Sequence, residues 1–369
     1  MDHPKPPVAL ESVCGQFAFA GRFVGGEPHG NGHINDTFVV THEQAGRTRR
    51  SILQRINTHV FRDVPSLMEN IQRVTAHAAR KTDRAAADAM KTLTVIPTHD
   101  GRSYFVDQAG GPWRGYDFIE GATSHDLLQD PAQAREAARA FGHFQYLLAD
   151  LPAPRLHETI PSFHHTRRRF TALEQAIQSD PRGRAARVVR EIAWARERES
   201  MVDRLIGLQA EGRLPERITH NDTKLNNVML DNHTGWAAGV IDLDTVMPGL
   251  ALYDFGDMVR SATNSAAEDE PDTARVEMRI PVYTAIVDGY LESTRAFLNA
   301  TEIDLLPFAA RLLTFESCLR FLTDYLLGDV YFKTKRPDHN LDRCRNQFAL
   351  LRSMEAQSAD MDAVLRHFR

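Results

Sequence analysis

The segment Thr219-His-Asn-Asp-Thr-Lys-Leu-Asn-Asn227 sets a histidine two residues ahead of an aspartate and an asparagine five residues behind it. An aspartate so placed, Asp222, can accept or orient the proton of a hydroxyl, and Asn227 can bring an amide oxygen to a hard metal ion. Asn227-Val-Met-Leu230 and Trp236-Ala-Ala-Gly-Val-Ile241 flank Asp231-Asn-His-Thr-Gly235, a strong hairpin signal. The chain is therefore predicted to double back and return Asp242 to the side of Asp222. One carboxylate from Asp242 and one amide oxygen from Asn227 form a donor set that suits Mg²⁺, which takes hard oxygen ligands and seldom has a complete protein cage. Lys224 can reach a transferring anionic group, and Asp244 faces either the substrate or the outer ligands of the metal. Alone, this spacing recurs by chance, and an Asp or Asn beside a hairpin is commonly a turn former. Its weight comes from the surrounding chain.

Upstream, Val8 to Phe19 reads as a short helix behind a Pro-rich start. Extended runs follow at Ile34 to Thr41 and Arg49 to Ile56, with the turn-like Glu43-Gln-Ala-Gly46 between them. This is a hairpin preceded by a glycine-rich segment containing Gly30 and Gly32. Val64 to Ala79 reads as helix, and Leu93 to Pro97, Arg102 to Val106 and Trp113 to Ile119 as strands. From Pro131 the period changes to helical, with Ala134, Ala137, Phe141, Phe144 and Leu148 on one face and long amphipathic segments near 184–210, 281–298, 303–327 and 340–367. The prediction is α+β in two lobes, a small β-rich one over 1–119 and a larger, mainly helical one over 120–369, meeting near Ile119-Glu-Gly121. A chain of 369 residues is long for one core, which agrees with the division.

Composition narrows the partners. With 44 basic and 49 acidic residues the net charge is −5, which gives no general electrostatic reason to approach nucleic acid or an anionic membrane, so a small-molecule partner is expected. The basic runs Arg47 to Arg50 and Arg167 to Arg169 read as solvated faces. Cys14, Cys318 and Cys344 lie far apart with no metal spacing and read as reduced thiols. No export signal and no long apolar run is visible, so a cytoplasmic protein is expected.

The H-x-D-x-x-x-x-N spacing is that of the catalytic loop of protein kinases and their relatives. Taken whole, the chain resembles the aminoglycoside phosphotransferase and choline kinase superfamily. Gly30-Asn-Gly-His-Ile-Asn-Asp-Thr-Phe38, His220-Asn-Asp-Thr-Lys-Leu-Asn-Asn227, Ile241-Asp-Leu-Asp-Thr-Val-Met-Pro-Gly249 and Asp254-Phe-Gly-Asp257 look like the bacterial N-acetylhexosamine 1-kinases. The resemblance implies a two-lobed protein-kinase-like fold and transfer of the γ-phosphoryl group of ATP, with Mg²⁺, to the anomeric hydroxyl of an N-acetylated hexosamine. By the same resemblance Gly30 and Gly32 cover the ATP phosphates, where a residue without Cβ lets backbone amides approach an anion. Tyr116, Phe118 and Ile119 lie along the linker that receives adenine. Asp222 and Lys224 carry the transfer, and Asn227 and Asp242 hold the metal. His33, Asp222, Asp244, Arg320 and Tyr331 contact the sugar.

One departure stands out: Ser51-Ile-Leu-Gln-Arg55 offers Gln54 where kinases of this shape carry a phosphate-binding lysine, so Gln54 is expected to bind the nucleotide as a neutral donor in place of that cation, and the partner of Glu69 is left open. Arg55 should point to the opposite face of that strand. Asp254-Phe-Gly-Asp257 comes too late to be the metal-binding D-F-G and should instead fix the catalytic loop through its backbone. Glu316, Arg320 and Asp324 form a polar stripe, which is either a substrate wall or an exposed ladder of ion pairs, opposite the apolar Leu312, Phe315, Leu319 and Leu322. No role is assigned to His164 or His165. Other acceptors of the superfamily (aminoglycoside, choline, homoserine, methylthioribose) stay open, with Glu268-Asp-Glu-Pro-Asp272 as a possible acidic site for a cation. So does a non-catalytic nucleotide- or sugar-binding regulator. Gluco or galacto preference and oligomeric state are not set by the sequence.

Overall fold

The computed structural model describes residues 10–30, 34–82, 90–126 and 128–368. Gly32 and His33 lie outside the described residues. The chain divides into two compact units, Met1–Ala122 and Thr123–Arg369.

The first unit is an antiparallel sheet with a short helix, α1 (Leu10–Cys14), and a long one, α2 (Val64–Lys81). Its strands are β1 (Arg22–Pro28), β2 (Asp36–Gln44), β3 (Arg47–Arg55), β4 (Val95–Ile96), β5 (Phe105–Val106) and β6 (Pro112–Asp117), ordered β1-β2-β3-β6-β4 with β5 also on β6. The expected hairpin is β2–β3. Ala45 and Gly46 at its tip both have positive φ (51° and 73°), the turn whose twist matches that of the strands it joins. β1 was not anticipated. Arg22-Phe-Val-Gly-Gly-Glu-Pro28 has little alternation because it is an edge strand, and Gly26 admits α1: a Cβ there would come within 3.0 Å of Leu10 Cδ1. The glycine segment is thus the connection from β1 to β2. The core of this unit joins Val13, Cys14, Phe17, Val40, Leu53, Ile96 and Trp113. α2 begins at Asp63, which accepts hydrogen bonds from Ser66 N (3.1 Å) and Oγ (2.7 Å), and buries Leu67, Met68, Ile71 and Val74.

The second unit is mainly helical: α3 (Pro131–Leu148), α4 (Thr166–Ser179), α5 (Val189–Glu197), α6 (Arg204–Ala210), α7 (Ala251–Thr263), α8 (Ile280–Thr294), α9 (Ala300–Asp304), α10 (Leu306–Leu327), α11 (His339–Ala356) and α12 (Ser358–Phe368). α10 packs against α4, α7 and α11, placing Phe315, Leu319 and Leu322 in a core with Phe170, Leu173, Phe348 and Leu351. Gly256 lets α7 cross α10 closely, since a Cβ there would lie 2.6 Å from Ala309 O. Residues 184–210 are not one amphipathic helix: Arg196-Glu-Arg-Glu-Ser200 offers no apolar side chain to continue the stripe, and the helix breaks between α5 and α6. The segment 340–367 likewise breaks at Gln357.

Four short strands frame the segments 220–227 and 241–246, which hold the candidate site residues of this unit. β8 (Arg217–Thr219) pairs with β11 (Met247–Gly249), and β9 (Val228–Asp231) forms the expected hairpin with β10 (Ala237–Val240), to which β7 (Ala122–Ser124) is added beside β9.

Candidate active site

Residues 220–227 link β8 to β9, and buried polar groups fix them in place. Asn221 has left-handed backbone (φ 65°), which Asn tolerates better than most residues with a Cβ. Its side chain donates to Thr219 O (3.2 Å) and Thr245 O (2.9 Å) and accepts from Thr219 Oγ1 (3.0 Å). From the first turns of α7, Asp254 accepts His220 N (2.9 Å) and Asn221 N (2.7 Å), and Asp257 accepts Thr223 N (2.9 Å). Gln145 of α3 donates to the same Asp254 carboxylate at 2.6 Å, and Tyr290 of α8 donates to Gln145 Oε1 at 2.8 Å. Asp254 and Asp257 therefore do what the sequence reading expected of them: they hold the loop by its backbone. Burial pushes the Asp254 carboxyl up, and His220 with the N–H donors offsets this only in part.

Within the loop the candidate reactive groups lie against one another. Lys224 Nζ is 2.8 Å from Asp222 Oδ1, while Asn227 Nδ2 donates to Asp222 O (2.8 Å) and Oδ2 (3.2 Å). Burial alone would raise the Asp222 carboxyl; Lys224, with His220 and Arg260, more than offsets this and holds it well below the usual carboxylate range. The charge of Asp222 in turn raises Lys224. His220 Nε2 donates to Ile241 O (2.9 Å) and its Nδ1 accepts Asp222 N (3.3 Å), which places its ring proton on Nε2. Ile241 N donates to Asn227 O at 2.9 Å, so the next residue, Asp242, is tied beside Asn227, with its own backbone left-handed (φ 58°). Asp244, two residues on, is buried, and its carbonyl accepts Thr159 Oγ1 at 2.8 Å.

Asp242 and Asn227 fit a metal by the chemistry of their donors. The Asn227 amide nitrogen donates to Asp222, which leaves its oxygen as the acceptor that a hard ion would use, and Asp242, which follows the backbone bond from Ile241 to Asn227, supplies a carboxylate of the same hard type. Among the described residues no group of three or more His, Cys, Asp or Glu side chains converges as a metal cage. A pair of this kind relies on phosphate and water oxygens for the rest of the shell.

The polar stripe of α10 is not an exposed ladder. Glu316 is buried and bonds His164 Nδ1 (2.8 Å) and Thr166 Oγ1 (2.7 Å). Asp324, also buried, accepts three successive N–H groups, Val330 (2.9 Å), Tyr331 (2.8 Å) and Phe332 (3.0 Å), as the chain leaves the helix through Gly328 in left-handed conformation. Arg320 lies between these two carboxylates, with its guanidinium 5.0 Å from the Phe163 ring, 5.4 Å from Phe332 and 6.0 Å from Tyr331. Tyr331 is 58% exposed. Three of the four carboxylates of the acidic run at 268–272 are ion-paired: Glu268 with Arg260, Asp269 with Arg336 and His339, and Glu270 with Arg275, while Asp272 accepts Ala274 N.

In the first unit, Gly30 has φ 72° and open space where a Cβ would stand. His29, beside it, stacks edge-on against Phe118 with centroids 6.0 Å apart, which brings the start of the glycine segment to the linker residues. Arg50 covers the same Phe118 ring at 4.0 Å. Tyr116 is buried in β6, and Ile119 is half-buried. Gln54 pairs across strands with Arg114: Gln54 Oε1 accepts Arg114 Nε (3.0 Å) and Nη2 (2.9 Å), and Gln54 Nε2 donates to Thr37 Oγ1 (2.9 Å). The face that lacks a strand lysine thus carries an arginine on the adjacent strand, a residue the sequence reading passed over. Arg55 points the other way, 5.9 Å from Trp113, and Glu69 lies 3.9 Å from Arg73 on its own helix.

Residues 25–288 match the model of the phosphotransferase enzyme family, and the chain belongs to that family. Similar solved structures include a microcompartment-associated aminopropanol kinase (16% identity, TM-score 0.57, covering 96% of this chain and 98% of that one). A spectinomycin phosphotransferase in complex with ADP and spectinomycin matches at 12% identity and TM-score 0.57 over 96% and 99% of the two chains. A choline kinase from Cryptosporidium parvum matches at 14% identity and TM-score 0.55 over 93% and 92%. The fold is therefore the kinase-like one of the aminoglycoside phosphotransferases, with a β-sheet N-terminal region and a helical C-terminal region. No helix among the described residues is long and apolar enough to cross a membrane.

Proposed function

We propose that this phosphotransferase moves the γ-phosphoryl group of ATP onto the anomeric hydroxyl of an N-acetylhexosamine, GlcNAc or GalNAc, to give the sugar 1-phosphate. The observation that carries the acceptor class is the environment of Arg320. The aromatic faces that would receive an ammonium group, Phe163, Phe332 and Tyr331, already hold this guanidinium. The acidic run at 268–272 has three of its four carboxylates paired with arginines, which weakens it as a site for a cation. An acceptor entering beside Arg320 is therefore favoured if neutral and rich in hydroxyl and carbonyl oxygens, which argues against choline-like or aminoglycoside acceptors. The N-acetylhexosamine assignment within that class rests on the motif strings at 30–38, 220–227 and 241–249.

In this reading Asp222, kept anionic by Lys224, orients the C1 hydroxyl and receives its proton as transfer proceeds. Lys224, already within reach of Asp222, can swing its ammonium to the transferring group. Asn227 and Asp242 would hold Mg²⁺, which when bound neutralises charge on the phosphate oxygens. Gly30 and Gly32 cover those phosphates, Tyr116, Phe118 and Ile119 receive the adenine, and Gln54 contributes by fixing Arg114 on the nucleotide-facing strands. His33, Asp244, Arg320 and Tyr331 contact the sugar.

The test is ATP consumption with Mg²⁺ across GlcNAc, GalNAc, glucose, choline, homoserine, aminopropanol and kanamycin, with phosphorus NMR to locate the new phosphate. A 1-phosphate from an N-acetylhexosamine supports the proposal; turnover confined to an amine acceptor overturns the acceptor class and leaves Asp222 in place.

A further inference from the structure

His164 belongs to no motif, yet it joins the two halves of the site in the second unit. Its Nε2 donates to Asn221 O at 2.9 Å, the carbonyl immediately before Asp222, and its Nδ1 shares a hydrogen bond with Glu316 at 2.8 Å. The ring is buried, 4.6 Å from Phe163 and 5.2 Å from Tyr253 by centroids. Glu316 is locked in turn by Thr166 Oγ1 at 2.7 Å. One helical turn further along α10, Arg320 sits on the ring of Phe163, the neighbour of His164 in the chain. α10 therefore grips the Phe163-His164 dipeptide at two points, and His164 alone of that dipeptide reaches into the catalytic loop.

The other polar groups of Asn221 are satisfied by Asp254, Thr219 and Thr245, so its carbonyl is the one polar group of that residue given to His164, directly before Asp222. We infer that His164 is a positioning residue for Asp222: it transmits the placement of the α10 wall that carries Arg320 to the carbonyl that precedes the base, so that the acceptor wall and the base keep one alignment. The inference rests on the reading of Asp222 as the group that orients the acceptor hydroxyl, and it does not depend on which acceptor is used. His164 itself need touch neither acceptor nor nucleotide.

The experiment is a double-mutant cycle of His164→Ala and Asp222→Asn, with His164→Gln and Glu316→Gln as companions. Gln at 164 keeps an N–H that can reach the Asn221 carbonyl. Gln at 316 keeps the shape and can donate to His164 Nδ1 while still accepting from Thr166. The expected result is a fall in kcat of about ten- to a hundredfold for His164→Ala with the KM for ATP unchanged, the size that a misplacement of about an ångström produces. His164→Gln should recover part of that loss, and Glu316→Gln most of the activity. In the Asp222→Asn background His164→Ala should have little further effect, because a residue that acts through Asp222 has nothing left to position.

A loss from His164→Ala as large in that background as in the parent, with no recovery by His164→Gln, would mark a general structural role and overturn the inference. Unchanged kcat in His164→Ala would also overturn it. The acceptor panel is run first on the unmodified protein, and the cycle then uses whichever acceptor turns over, or the slow transfer to water if none does. Failure of the sugar assignment is thereby read separately from failure of the His164 role.

Discussion

Asn227 donates its side-chain amide to Asp222 twice, to the carbonyl at 2.8 Å and to the carboxylate at 3.2 Å, so the candidate metal ligand and the candidate base share one hydrogen-bonded unit. A substitution that removes either side chain loses the bond that orients the other. Asp222→Asn keeps the shape of the unit and removes the proton acceptor. The expected outcome is a loss of about 10²–10⁴ in kcat, the usual worth of a general base, with ATP binding by calorimetry near that of the parent. Retained turnover would remove Asp222 from its assigned role.

Lys224 sets the charge state of its neighbour. Because the folded-state pKa of Asp222 lies below its ordinary value, the ionised form persists as pH falls, and the stabilisation from the ion pair is present at neutral pH and fades only toward strongly acidic pH. The acid limb of kcat/KM attributable to Asp222 should accordingly fall below the ordinary carboxylate range. Lys224→Met should move that limb upward toward neutral pH and lower kcat by about 10²-fold, as for loss of a donor to developing charge. A pH profile of the variant with its acid limb unmoved would contradict the assignment.

Asp254 never needs to meet a substrate to matter. It accepts two consecutive loop N–H groups and the Gln145 amide in a buried setting. Asp254→Ala strands those donors, at about 1–3 kcal/mol for each group left unsatisfied. The expected result is a lower melting temperature together with a loss of turnover that cooling does not restore. Unchanged thermal unfolding would show that the loop is held by other means.

The proposed sugar contact of Arg320 predicts an effect on the acceptor and none on the nucleotide. Arg320→Ala should raise the KM for the sugar about tenfold or more and leave that for ATP unchanged. Arg320→Lys should rescue little, because an ammonium lacks the planar face that stacks on Phe163 and Phe332. Steady-state kinetics varying one substrate at a time reads both effects.

What could be read from the chain, and what could not, follows the separation of the partners. His220 to Asn227 and the hairpin to Asp242 are contiguous, so short-range spacing carried most of their geometry. The amphipathic α2 was visible through its apolar stripe, and α8 and α10 through their density of apolar residues. β1 escaped because an edge strand with two glycines need not alternate. The pairing of Arg114 with Gln54 escaped because it depends on strand register across 60 residues. His164 escaped because its two partners are 57 and 152 residues away, and no local pattern marks a histidine that is needed for its two ends. The stripe of Glu316, Arg320 and Asp324 was seen, and its meaning changed: each of its carboxylates is buried and committed to backbone or histidine elsewhere.

The bond from His164 to Glu316 spans 152 residues, and the loop it serves is also held by Asp254, downstream of Asp222. Contacts of such span close late in folding, after the entropy of the intervening chain has been lost. A ribosome that has not yet released α10 therefore carries a nascent chain in which the 220–227 loop and its Asp254 clamp are already made while the Glu316 anchor of His164 is still missing. On the proposed role of His164, full turnover doubles as a report that α10 has been made and docked.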